Sequence, residues 1–160
     1  MHLAQLNVGR LVAPIDAPEV AGFANQLEAI NGLAESSPGF VWRFAGDTRQ
    51  GETAVGDDPQ TIYNLSVWQS LESLFAFTYR SAHRAPLAAR RQWFERLDGP
   101  HLVLWWVPAG HRPGLPEALS RLKRLAGEGP GPDAFDFRNA FGPDGQALQG
   151  RAIAHPAPAA

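Results

Sequence analysis

Polar side chains with a spacing suited to chemistry lie in two short segments, Leu3–Val8 and Ile62–Trp68. Alternation over such lengths is typical of a β-strand with two different faces. One face of each segment is apolar, and the other carries amide, hydroxyl and indole groups. These groups belong to Gln5, Asn7, Asn64, Ser66 and Trp68. A few convergent polar groups on an apolar wall are the usual composition of a small-molecule pocket, so we predict that these side chains line a ligand cavity.

The same side chains have a purely structural alternative. Asn7 and Asn64 could hydrogen-bond to one another or to neighbouring strands, and thereby only fix the register of the sheet. For the set as a whole, the pattern leaves ligand contact and register as open alternatives.

A histidine and two arginines follow the second segment, in the stretch Tyr79–Arg84. A helical pattern is interrupted there, before Pro86. The His83 imidazole could act as a general base, as an axial ligand to haem iron or as a simple hydrogen-bond donor. Its alternative is a partly exposed histidine stabilised by the dipole at a helix end. Arg80 begins a run of arginines that could meet a substrate carboxylate or phosphate, although a solvated helix face is the commoner case.

Two adjacent tryptophans lie in the most apolar segment, Leu102–Val107. Neighbouring side chains of a strand point to opposite faces, so only one of the two packs against the helices. We expect Trp105 to be the other one and to form a wall or stacking platform of the cavity. Further histidines flank this segment, but none are spaced as HxH or HxxxH, and no metal site is predicted.

The composition excludes several classes of function. A length of 160 residues fits one domain, and a net charge of −2 argues against general nucleic-acid binding. The absence of cysteine excludes disulfides, thiolate metal sites and cysteine nucleophiles. No phosphate loop, dinucleotide fingerprint or nucleophile elbow occurs. The first residues lack the apolar core of a signal peptide and no run reaches membrane-spanning length, so a cytoplasmic location is expected.

The elements that must position these residues alternate as βαββαβ. The strands are predicted at Leu3–Val8, Phe40–Phe44, Ile62–Trp68 and Leu102–Val107, with helices from Asp16 and Ser70 between them. This order predicts an α+β, ferredoxin-like domain over residues 1–141, with an antiparallel four-stranded sheet and both main helices on one face. A helix over Leu115–Ala126 is a C-terminal extension. The Ala-, Pro- and Gly-rich residues 142–160 are predicted to form a flexible tail.

One face of this sheet would lack a cover. We expect the face with Ala4, Leu6 and Val8 to meet the helices, which leaves the face with Leu3 and Trp68 open. That face is too apolar to contact water, and pairing with a second copy about a twofold axis is the commonest way to cover it. The alternative is a monomer in which the C-terminal helix folds back over the open face.

The pattern resembles the dimeric α/β-barrel superfamily, which includes antibiotic-biosynthesis monooxygenases and small haem-degrading monooxygenases. The resemblance rests on the strand order, on WQSLE at residues 68–72 leading into a Phe-rich helix, and on His83. Within the superfamily, the sequences YRSAHR and HLVLWWVPAGHRP resemble an uncharacterised bacterial family over residues 2–140. The helix after Gly114 departs from the minimal barrel and could cap the cavity.

The resemblance implies roles for four residues. Superfamily monooxygenases use an asparagine on the first strand and a tryptophan at the end of the third, which here match Asn7 and Trp68. The haem degraders add a helix histidine on iron, which matches His83. Asn64, four residues before Trp68, resembles the Asn–Trp pair of cofactor-independent quinone-forming oxygenases. The asparagines would hold a phenol or enolate oxygen, Trp68 would stack on the substrate, and His83 would take a proton or ligate iron.

These roles lead to three functional alternatives. The first is a homodimeric monooxygenase for a small apolar or aromatic molecule, which works without a cofactor or with haem. The second is a protein that binds such a molecule without turnover. The third is a structural dimer whose aromatic residues are all core. No nucleic-acid or membrane partner is expected.

Overall fold

The computed structural model describes residues 1–45, 54–55, 60–80 and 90–148. Its strands are His2–Arg10 (β1), Phe40–Arg43 (β2), Ala54–Val55 (β3), Thr61–Trp68 (β4) and Leu102–Val107 (β5). Its α-helices are Ala21–Ala24 (α1), Leu27–Glu35 (α2), Leu71–Arg80 (α3), Arg90–Trp93 (α4) and Leu115–Glu128 (α5). No helix among these is long and apolar enough to cross a lipid bilayer.

The sheet has the predicted topology. Its strand order is β2-β4-β1-β5, every pair is antiparallel, and the short β3 pairs with β4. The two central strands, β1 and β4, are the two alternating segments of the sequence. The α+β fold with a four-stranded antiparallel sheet and a C-terminal helical extension is therefore confirmed.

The helices α2 and α3 lie on the face of the sheet that was expected to be open. Ala34 of α2 and Leu74 of α3 pack with Leu3, Trp68 and Leu104 of the strands. The prediction that the opposite, wholly apolar face meets these two helices was wrong. The strand alternation correctly separates the two faces, but an aromatic face with polar groups can also lie under helices when those groups hydrogen-bond to each other.

The C-terminal helix α5 covers the other face. Ala118 and Leu125 of α5 pack against a set of strand residues that are at most 2% exposed. That set comprises Ala4, Leu6, Leu65, Val67, Val103, Trp105 and Val107. Both faces of the sheet are thus covered by helices of the same chain, one by α5 and the other by α2 and α3. The homodimer stays a prediction, but an uncovered apolar face no longer supplies its reason.

Trp105 lies on the α5 face, which corrects its predicted role as a wall of the cavity. Its side chain is 0% exposed, and its indole Nε1 donates to Glu117 Oε1 of α5 at 3.1 Å. The neighbouring Trp106 takes the other face, where its Nε1 donates to the Phe141 carbonyl oxygen at 2.7 Å. One tryptophan on each face was expected, but the two assignments were reversed together with the positions of the helices.

Residues 131–148, here called the C-terminal arm, return to the α2–α3 face after α5. Phe135 exchanges two backbone hydrogen bonds with Leu104 of β5, at 2.8 and 2.9 Å, and is fully buried. Leu148 N donates to the Ala140 carbonyl oxygen at 2.8 Å and closes a turn. The domain boundary at residue 141 stays a prediction, and the last twelve residues of the predicted tail, 149–160, lie outside the described residues.

Candidate ligand cavity

A cavity of about 170 Å³ lies between the sheet and the helices α2 and α3 of the same chain. Its polar lining consists of Gln5, Asn7, Asn31, Arg43, Asn64, Ser66, Thr78, Tyr79 and His101. Its apolar lining consists of Ile30, Ala34, Phe40, Trp68, Leu74, Phe77, Leu102 and Phe137. The five side chains of β1 and β4 that the sequence analysis grouped together all line this cavity. The cavity lies within one chain and not between the sheets of two copies.

The strand register brings these five side chains together. Asn7 is directly opposite Asn64, and Gln5 is directly opposite Ser66. Side chains of opposed residues in an antiparallel pair share one face, with Cβ atoms about 4.5–5.5 Å apart. The site therefore follows from two local alternations and one register.

A hydrogen-bond network joins four of the five side chains. Gln5 Nε2 donates to Ser66 Oγ at 2.8 Å, and it also contacts Asn64 Oδ1 at 3.1 Å and the Asn64 carbonyl oxygen at 3.3 Å. Trp68 Nε1 donates to the same Ser66 Oγ at 2.9 Å. The structural alternative, in which polar side chains fix the register of the sheet, is thus observed for Gln5, whose amide links β1 to β4.

The network determines the orientation of the Asn64 amide. The Asn64 carbonyl oxygen can only accept, so the Gln5 atom facing it must be the NH₂ group. Asn64 then directs Oδ1 towards that group and Nδ2 away from it. Because Asn64 is exposed and lines the cavity, its Nδ2 is a donor at the open side.

Trp68 is a packed wall and not an open stacking platform. Its side chain is 1% exposed. Phe77 stacks on it with ring centroids 5.1 Å apart and an interplanar angle of 25°, and Phe40 contacts it edge-on at 5.5 Å. The predicted stacking of a substrate on Trp68 is therefore not available on the ring face that Phe77 occupies.

For two further predicted site residues, His83 and Arg80, the side chain lies outside the described part of the structure. His83 lies outside the described residues, and the side chain of Arg80, the last residue of α3, is not described. Their roles as proton acceptor, haem ligand or anion contact stay predictions.

The structure adds lining residues that the sequence analysis did not assign. Asn31 of α2 is 7% exposed and follows Leu27 by four residues, so it lies on the buried stripe of the helix. A polar residue at a position of that stripe could have indicated this site residue from the sequence. Arg43 is opposite Ser66 in the register, and its Nε lies 2.7 Å from Glu35 Oε1. That position depends on a register shift between Phe40 and Trp42, which alternation alone does not show.

Two aromatic residues of the cavity lining, Tyr79 and Phe137, contact each other. Tyr79 at the end of α3 is 45% exposed, and its ring lies 5.7 Å from that of Phe137 in the C-terminal arm. Phe75 contacts both rings, at 4.6 and 5.7 Å between centroids. The C-terminal extension therefore contributes to the cavity through its arm, whereas its helix α5 lies on the opposite face.

The cavity volume restricts the size of a ligand. Pockets for drug-sized ligands span about 300–1,000 Å³, whereas an apolar cavity of about 150 Å³ holds a benzene molecule. At about 170 Å³, this cavity accommodates a single-ring molecule and is too small for a porphyrin. Among the described residues, no group of three histidine, aspartate or glutamate side chains could hold a metal ion. A haem therefore does not fit in this cavity, and haem binding through His83, which lies outside the described residues, stays a prediction.

The chain belongs to the family described as Domain of unknown function (DUF3291), whose model matches residues 2–151. Membership of an uncharacterised family, expected from the resemblance, is confirmed. No curated protein matches the sequence.

Solved structures similar to this chain include SnoaB, a cofactor-independent oxygenase from Streptomyces nogalater. It is 16% identical with a TM-score of 0.48, over 72% of this chain and 98% of SnoaB. PA3566 from Pseudomonas aeruginosa is 12% identical with a TM-score of 0.48, over 68% and 95% of the two chains. A candidate antibiotic biosynthesis monooxygenase from Chloroflexus aurantiacus J-10-fl is 23% identical with a TM-score of 0.44, over 71% and 98%.

Proposed function

We propose that the cavity binds one small aromatic or otherwise apolar molecule through an oxygen atom, and that the protein acts on it as a cofactor-independent oxygenase. The observation that supports this most directly is the Asn64 amide, which is turned so that its NH₂ group is offered at the open side of a one-ring cavity. Asn7 lies opposite it in the register and lines the same cavity.

The proposed chemistry uses the two asparagines to stabilise negative charge. A deprotonated phenol or enolate accepts stronger hydrogen bonds than its neutral form, so fixed donors favour the electron-rich species that reacts with oxygen. A phenol and one dioxygen would give a quinone and one water. One oxygen atom enters the ring, the other leaves as water, and the substrate supplies all four electrons. His83, the predicted proton acceptor, stays a prediction in this scheme.

Oxygen uptake with a one-ring phenol or hydroquinone tests the proposal. Asn64→Ala removes one donor to the developing charge and should lower kcat at least about 100-fold. Its thermal midpoint should fall only slightly, because the variant loses the contact of Asn64 Oδ1 with Gln5 but keeps the Asn64 carbonyl oxygen that also accepts from it. Asn25→Ala, an exposed asparagine outside the cavity, is the matched control and should keep the full rate. Equal rates for the two variants would contradict the assigned role of Asn64.

A binding protein without turnover is the second candidate. It is favoured by the fact that Gln5 Nε2 and Trp68 Nε1 both donate to Ser66 Oγ. These two donors are therefore occupied within the protein and do not stabilise charge on a ligand. Such a protein would gain thermal stability with rising ligand concentration, yet would consume no oxygen. The homodimer and the cytoplasmic location remain proposals from the sequence, and the cavity is lined by one chain.

A further inference from the structure

The hydroxyl of Ser66 has an unusual position in the cavity. Ser66 is 5% exposed and lines the cavity together with Gln5 and Trp68, which are also buried, whereas the neighbouring Asn64 is exposed. The three buried residues are here called the cavity floor. Its Oγ receives hydrogen bonds from Gln5 Nε2 at 2.8 Å and from Trp68 Nε1 at 2.9 Å. A serine oxygen has two lone pairs and one proton, so both accepting positions are occupied.

Neither of the two incoming bonds can be reversed. An indole Nε1 only donates, so Trp68 cannot accept from Ser66. The Gln5 amide is held with its NH₂ group towards Ser66 by the Asn64 carbonyl oxygen, which only accepts. The Ser66 proton must therefore point elsewhere, and none of the described residues accepts it. A buried hydroxyl proton without an acceptor is unfavourable, so a ligand that supplies an acceptor next to Ser66 would be stabilised.

We propose that Ser66, whose accepting positions are already occupied, can only donate a hydrogen bond to a ligand, and that it selects ligands that place a hydrogen-bond acceptor at the cavity floor. This inference rests on the proposed function and narrows its substrate class. A ketone or quinone carbonyl and a deprotonated phenolate fit, because each presents lone pairs. A hydrocarbon leaves the proton unpaired, and an amine or alcohol that presents only its hydrogen meets a second donor.

Two one-ring probes of nearly equal shape test this selection. Acetophenone carries a carbonyl oxygen where α-methylstyrene carries a CH₂ group. The wild-type protein should bind acetophenone about tenfold more tightly, which is the value of one buried hydrogen bond. Dissociation constants can be measured by NMR titration, with the Trp68 indole proton as a reporter because it is bonded to Ser66 Oγ.

Three variants assign the preference to Ser66. Ser66→Ala should bring the two dissociation constants within twofold of each other. Ser66→Cys keeps a weak donor and acceptor, and should reduce the ratio to about two- or threefold even if the alanine variant does not fold. Asn64→Ala is the comparison variant: it removes the Asn64 amide donor but keeps the Asn64 carbonyl oxygen that holds Gln5, and it should retain the tenfold ratio.

The outcomes separate this inference from the proposed function. If wild-type protein binds both probes equally, or if Ser66→Cys keeps the tenfold ratio, the role of Ser66 is wrong while the cavity remains a binding site. If the ratio is lost in Asn64→Ala, the selecting donor is Asn64 and the inference is again wrong. If neither probe binds to the wild type, the proposed function fails and the inference fails with it.

Discussion

The side chains of β1 and β4 show how few residues are needed to build this cavity. The hydroxyl of Ser66 joins the amide of Gln5 to the indole of Trp68, and the same amide orients Asn64. Each residue therefore constrains the next. A substitution in this network changes both the strand contacts and the groups offered to a ligand, so its effects on stability and on binding have to be measured separately.

A glycine near the end of β1 provides a prediction at the same scale. A Cβ at Gly9 would overlap the Phe94 ring, which packs over the strand. Gly9→Ala should therefore lower the free energy of unfolding by about 1–3 kcal/mol through overpacking. The matched control is Gly32→Ala in α2, where a Cβ meets nothing within 4 Å. That variant should gain about 0.5–1 kcal/mol, because alanine favours a helix interior. Urea denaturation measures the free energy of unfolding of both variants. A Gly9→Ala protein as stable as the wild type would contradict the packing of Phe94 over Gly9.

At the scale of elements, the four main strands were predictable, whereas the short strand β3 and the placement of the helices were not. Alternation is a local property, so the shared face of Asn7 and Asn64 could be deduced from two short segments. The choice between the two faces depends on contacts distant in sequence. Both faces are largely apolar, and the pattern alone does not show which one receives α5. Trp105 and Trp106 were therefore correctly predicted to lie on opposite faces of the sheet, but each was assigned to the wrong face.

The buried stripe of α5 allows a quantitative prediction. Leu125 is 5% exposed and packs against the sheet, whereas Leu119 of the same helix is 38% exposed. Leu125→Ala should lower the free energy of unfolding by about 2–4 kcal/mol, because it removes buried methyl groups and leaves a cavity. Leu119→Ala should change it by less than about 0.5 kcal/mol. Denaturant titrations of the two variants give the comparison, and equal losses would mean that α5 does not cover the sheet.

For the whole molecule, the fold separates two tasks that the sequence analysis had combined. One face of the sheet is covered by α5, and the other encloses the cavity under α2, α3 and the C-terminal arm. The predicted cavity between two copies required a dimer, whereas the observed one is lined by a single chain. Part of this difference arises from the C-terminal arm, which carries Phe135 and Phe137 to the cavity face. The alternation of the strands does not predict the path of the arm. Its course is set by the pairing of Phe135 with Leu104.

A cavity within one chain makes a prediction about assembly. Each 17.4 kDa chain should bind one ligand molecule, and the dissociation constant should not change with protein concentration, whatever the oligomeric state. Were the site shared between copies, dilution below the dimer dissociation constant would weaken binding, because ligand and assembly would be thermodynamically linked. Acetophenone titrations at protein concentrations a hundredfold apart, combined with sedimentation at the same concentrations, distinguish the two cases. An affinity that falls on dilution together with the sedimenting mass would assign part of the site to a second copy.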